Sequence, residues 1–193
     1  MDFKFLADSI RNIIVDPVKA WETIYSEDRK VNYTVLNLLL PLVLLAALSA
    51  FLGSYYFVNT GLTNSYSVIA GIKYFILYSL VISGTTIILA EITKTLGLGK
   101  DLKTSFRLVA YSSIPLLICQ IMSRVFESFI FINVLALFGL YIFWTGMERM
   151  TETPDHKKIP LMIAAFVTFI VMYFLADWIL SGIMDKLYFA FFA

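Results

Sequence analysis

Cysteine and histidine are almost missing from this chain. Of 193 residues, one is Cys (Cys119) and one is His (His156). A lone thiol cannot close an intramolecular disulfide, and a lone imidazole cannot build a three-histidine zinc site. Inside its apolar run, Cys119 reads as a small packing residue. Charge is scarce as well: Asp, Glu, Lys and Arg make up 15%, with a net charge of +1. A chain so near neutrality has no overall field to attract nucleic acid. Catalytic signatures are also missing. There is no His-Glu-x-x-His and no Gly-x-Ser-x-Gly. "GLGK" at 97–100 lacks the upstream Gly and the following Ser or Thr of a phosphate loop. No pair of acidic residues is placed as in an aspartyl protease. The expectation is a protein that is not an enzyme and takes no cofactor or metal.

What fills the chain is apolar surface. Hydrophobic residues make up 60%, and the mean hydropathy is +0.82. A soluble domain of this length could not bury that much. Five apolar stretches stand out, at 34–58, 67–93, 106–122, 128–147 and 160–182. Each is about 17 to 27 residues, enough to cross a hydrocarbon core of about 30 Å at about 1.5 Å per residue. The reading is an all-α, polytopic membrane protein with five transmembrane helices. Residues 34–193 form the membrane domain and 1–33 an N-terminal segment. Asp2, Lys4, Asp8 and Arg11 interrupt the chain start, so it lacks the continuous apolar region of a cleaved signal.

The basic residues are distributed unevenly. Twelve of the fifteen Lys and Arg precede the first stretch, lie between the second and third or the fourth and fifth, or, as Arg107 does, stand at the very start of the third. The positive-inside rule then places the N-terminus in the cytoplasm and the C-terminus outside. The uncharged loop "NTGLTNSY" at 59–66 and the turn "RVFES" at 124–128 are external in this scheme. Tyr55, Tyr56, Tyr66, Trp178 and Tyr188 flank the outer ends as an interfacial belt.

In the N-terminal segment, Phe3, Leu6, Ile10, Ile13 and Ile14 share a helical stripe. That predicts an amphipathic helix at the membrane surface. A second helix follows, with Asp16 as its cap and Pro17 in its first position. Trp21 and Ile24 on it are expected to point at the interface. Asp16, Pro17 and Trp21 are the candidate docking residues for a soluble protein partner.

Together, "DPVKAWETI" at 16–24, "FRLVAYSSIPLL" at 106–117 and "LYIFWTGME" at 140–148 carry a resemblance. Over roughly residues 13–182 the chain resembles the Yip family, Ypt/Rab GTPase-interacting integral membrane proteins, and its prokaryotic members most. The resemblance implies a compact five-helix membrane domain in the inner (cytoplasmic) membrane of a prokaryote. The Asp-Leu-Tyr-Gly-Pro stretch of eukaryotic members has no counterpart here, so Rab binding is not carried over. A non-enzymatic scaffold or adaptor is the expected role, with membrane lipids and a cytoplasmic protein as partners. The alternative is a small transporter or lipid-handling protein.

Polar residues inside the spans supply the remaining candidates. Pro115 cannot donate to the Tyr111 carbonyl, and Ser112 and Ser113 can bond back to carbonyls, which bends helices. A kink is predicted at Tyr111, Ser112, Ser113 and Pro115, near the cytoplasmic face, with Arg107 snorkelling. Pro41 frees the Asn37 carbonyl in the same way. Lys73 and Asp177 each lie about 10 Å from the midplane by helix rise, on the same side. They are predicted to pair and to make the second and fifth helices neighbours. Glu91 and Glu148 are expected near Arg107, Arg149 or Lys94. Small residues at 46, 50 and 54, and at 49 and 53, suit close helix packing, within one chain or in a homodimer.

Overall fold

The computed structural model describes residues 2–57, 64–99, 101–125, 127–151 and 153–192. Most of the 59–66 loop, Lys100, the centre of the 124–128 turn and the Tyr188 side chain lie outside this description. Among the described residues the chain is helical, without strands.

Two short helices come first. In α1 (Phe3–Val15) the Asp2 carboxylate caps the start, accepting from the Phe5 N–H at 2.9 Å. In α2 (Pro17–Glu27) the Asp16 carboxylate accepts from the Lys19 N–H at 3.2 Å, with Pro17 in the first turn. Asp28, at φ 41°, closes α2 in the left-handed region, which a short polar side chain tolerates best after glycine.

Among the described residues, five helices are long and apolar enough to cross a membrane: 31–56, 66–95, 102–125, 129–150 and 155–187. They overlap the five apolar stretches and mostly run further, because helical hydrogen bonding continues into polar flanks. The first comprises α3 (Val31–Thr34), a π-helical turn (Val35–Leu39) and α4 (Leu40–Phe57). Just before Pro41 the Leu40 N–H reaches back five residues to the Val35 carbonyl. The wider turn absorbs the proline's missing donor. The second is α5 (Asn64–Thr95). It ends where Gly97, at φ 72°, lets the Leu98 N–H return to the Thr93 carbonyl at 2.9 Å.

The third is broken into α6 (Leu102–Ser112) and α7 (Ile114–Val125). The fourth starts as a 3₁₀ stretch (Glu127–Leu137) and continues as α8 (Phe138–Met150). The fifth, α9 (Asp155–Phe192), begins ahead of the apolar stretch, with Pro160 in its early turns.

One core joins the N-terminal helices to the spans. Leu6, Ile13, Ala20 and Trp21 pack in the same cluster as Leu38, Ile142 and Met147. Phe3 and Ile14, at the edges of the α1 stripe, stay exposed. A smaller cluster of Leu77, Val81, Ala176 and Leu180 joins α5 to α9. The small-residue stripe of α4 is used inside the chain. Ala46 and Ala50 are buried, and a Cβ on Gly53 would lie 1.8 Å from the Arg124 carbonyl oxygen.

Candidate functional site

Trp21 reverses an expectation. It is 0% exposed, and its indole N–H donates to the Ile142 carbonyl at 2.9 Å. Its ring meets Tyr111 edge-on at 5.6 Å. It slots against Gly146, where a Cβ would lie 2.5 Å from the indole. Pro17 is buried too, and Asp16 caps α2. Trp21 therefore fastens α2 to α8 and cannot face a soluble partner or the bilayer interface. Periodicity shows that Trp21 and Ile24 share a face. It does not show that the slot made by Gly146, more than a hundred residues away, covers that face.

A second fastening went unread in the sequence. The Asp28 carboxylate accepts from Lys103 Nζ at 2.7 Å and from Arg107 Nη1 at 2.9 Å. Arg107 also donates to the Arg29 carbonyl. Arg107 is thus buried and pinned between chain segments instead of snorkelling. The hydrogen bonds from Lys103, then Arg107, hold the Asp28 carboxyl below the usual carboxylate range. Arg29 lies over the rings of Phe5 and Tyr33, at 4.4 and 4.8 Å. Glu148 pairs with Lys158 at 3.2 Å, a partner not anticipated.

Between α1 and α2 a polar groove of about 320 Å³ remains open. Asp2, Asp8, Asn12, Glu27 and Arg29 line it, with Tyr111 at its floor. It carries groups of both signs on helices that the core holds in place.

Within the spans the structure brings Lys73 and Asp177 together. Lys73 Nζ lies 2.8 Å from Asp177 Oδ1 and donates to Ser181 Oγ at 2.8 Å. Nearby is an amide-centred network. Gln120 Oε1 accepts from the Tyr78 hydroxyl at 3.0 Å and from Arg124 Nε at 3.2 Å. Gln120 Nε2 donates to Asn133 Oδ1 at 3.2 Å, and Arg124 stacks on Tyr74 at 4.0 Å. Gln120 and Asn133 were overlooked in the sequence, although isolated amides in apolar runs were a signal.

The helix is interrupted just before Pro115, and of the two serines expected to bond back to carbonyls only Ser113 does so. Ser113 leaves the helix at φ −81°, ψ −7°, and its hydroxyl donates to the Ala110 carbonyl at 2.9 Å. The break sits against α8, where a Cβ on Gly139 would lie 2.4 Å from the Ser112 carbonyl oxygen. Beside it lies a largely apolar cavity of about 450 Å³, bounded by α7, the 3₁₀ stretch, α8 and α9. Thr85, Ser112, Ser113, Gln120 and Asn133 are among its walls. Lys73 and Asp177 line neither this cavity nor the polar groove. Among the described residues no three His, Cys, Asp or Glu converge as a metal site.

Comparison with known proteins places this geometry. No curated protein and no solved structure matches the chain. The family model described as the Yip1 domain matches residues 11–184. The match starts near the end of α1, takes in α2 and the first four spans, and covers most of the fifth. By that match, and by its five membrane-competent helices, the chain belongs to the Yip1-domain family and is a multi-pass membrane protein.

Proposed function

We propose that this protein is a non-enzymatic membrane scaffold that binds a protein partner through α1 and α2. The observation that carries the reading is the double fastening of α2. Trp21 ties it to α8, and Asp28 ties its end to α6. A segment held so firmly, with a polar groove and exposed Phe3, Val15, Val18 and Tyr25, is a preformed surface. Preformed surfaces lose little entropy on binding. The asymmetry of Lys and Arg puts this surface in the cytoplasm, in a prokaryotic inner membrane as the family resemblance implies. The docking residues are then Asp8, Asn12, Val18 and Tyr25, and not Trp21. Rab-type GTPases are not part of the proposal.

Crosslinking in native membranes, followed by mass spectrometry, tests it. A stoichiometric partner linked to α1–α2 and lost on Asp8→Arg or Val18→Asp supports the scaffold. Self-links alone move the function to the helix bundle. Sidedness has its own test: Ser26→Cys in a Cys119→Ala background should react with impermeant maleimide only from the cytoplasmic side.

A further inference from the structure

Thr85 departs from the pattern of its own helix. On α5, Ser79, Ser83, Thr86 and Thr95 each donate to a carbonyl one turn earlier. That is the usual way for a hydroxyl to survive burial in lipid. Thr85 is 2% exposed, yet its hydroxyl has no partner. On another wall of the same cavity, the buried Ser112 hydroxyl is in the same state. The other polar groups there need nothing: Gln120 and Asn133 bond to each other and to their neighbours. The unmet demand is for a hydrogen-bond partner at Thr85 and at Ser112, and within walls that are otherwise mostly apolar a carbonyl oxygen, which accepts without bringing a donor of its own, meets it at least polar cost.

Shape limits the ligand further. Along α7 the walls run from Leu116 to Gln120, continuing past the break to Val109, and along α9 from Met162 to Phe174. At about 1.5 Å per residue these are about 16 and 18 Å, close to the hydrocarbon depth of one leaflet. α9 packs chiefly on α5, so its wall stands away from α7. Lining residues Leu137, Ile170 and Phe174 are exposed, which opens the cavity sideways to the bilayer. Its volume of about 450 Å³ falls within the range of small-molecule sites, about 300–1,000 Å³.

We propose that this cavity is a binding site for a long-chain acyl lipid. Its carbonyl oxygen accepts a hydrogen bond from Thr85 or Ser112, and its chain lies between α7 and α9. The inference is independent of the scaffold reading, since no residue of α1 or α2 lines the cavity. A free fatty acid and the acyl arm of a glycerolipid share this chemistry.

The test uses the full chain in phosphatidylcholine nanodiscs and two photoactivatable probes: a diazirine fatty acid and a diazirine phosphatidylcholine. Saturable labelling of peptides from 133–143 and 162–174 by either probe is expected, and the more effective probe identifies the source. Ala165→Phe, which fills the cavity, should abolish it. The Thr85→Val/Ser112→Ala double variant should weaken it about tenfold while leaving thermal stability in lipid-free detergent unchanged or raised. A merely structural role for the hydroxyls would lower that stability. Labelling that does not saturate, or that both variants leave intact, overturns the proposal, as does labelling only of a second copy's exposed faces.

Discussion

At the scale of single residues, four side chains set testable energies. Lys73 and Asp177 sit 2.8 Å apart within their spans. Alanine at either position should cost about 1–3 kcal/mol of unfolding free energy, and a coupling of at least about 0.5 kcal/mol should appear in the double-mutant cycle. Steric-trap unfolding in bicelles measures this; additive losses would mean the pair contributes no interaction energy. Trp21→Phe removes the indole donor to the Ile142 carbonyl, which keeps its bond from the Thr145 hydroxyl, and it underfills the slot against Gly146; it should cost about 1–3 kcal/mol. Asp28 provides a pH signature. Its folded pKa is depressed from 3.8 by Lys103 and Arg107. Its contribution is therefore complete above the unfolded value and is lost as pH falls through the folded one. Thermal melts should separate wild type from Asp28→Asn at neutral pH, and the gap should close as the pH falls below the ordinary carboxyl value of 3.8.

At the scale of helices, glycines decide who touches whom. Gly53 brings α4 against the end of α7, and Gly139 brings α8 against the α6–α7 break. Gly53→Val and Gly139→Val push against backbone, and each should cost about 1–3 kcal/mol. Gly182 has nothing near its missing Cβ, so Gly182→Ala should be neutral or stabilising by up to about 1 kcal/mol. Melting all three variants in one detergent checks the ranking. The break itself was legible, because Pro115 forbids a donor wherever it sits. Its neighbours were not. Nothing around Ser112 in the sequence points to Gly139, and nothing around Thr85 points to a cavity shared with both.

At the scale of the whole molecule, the N-terminal helices and the spans act as one body. The boundary at residue 33 follows a change in hydropathy, while the core cluster crosses it. Removing residues 2–30 would uncover Leu38, Ile142 and Met147, which are essentially buried. The truncated chain should therefore melt well below the full one, although every span is kept. Were 1–33 an independent surface segment, the two would melt alike.

The number of spans, their approximate limits and the local punctuation at Asp16 and Pro115 are legible along the linear chain. Hydropathy, capping and proline geometry are properties of a residue and its near neighbours, so no fold is needed to read them. The pairing of Lys73 with Asp177 was also within reach, because two costly charges at equal depth leave few other solutions. That Trp21 turns inward, that Arg107 is held by Asp28, and that α9 stands away from α7 emerge from the packing of the helices. Each of these depends on which helix faces which. That choice rests on shape fitted across distant segments, such as an indole against Gly146, and no local pattern encodes it.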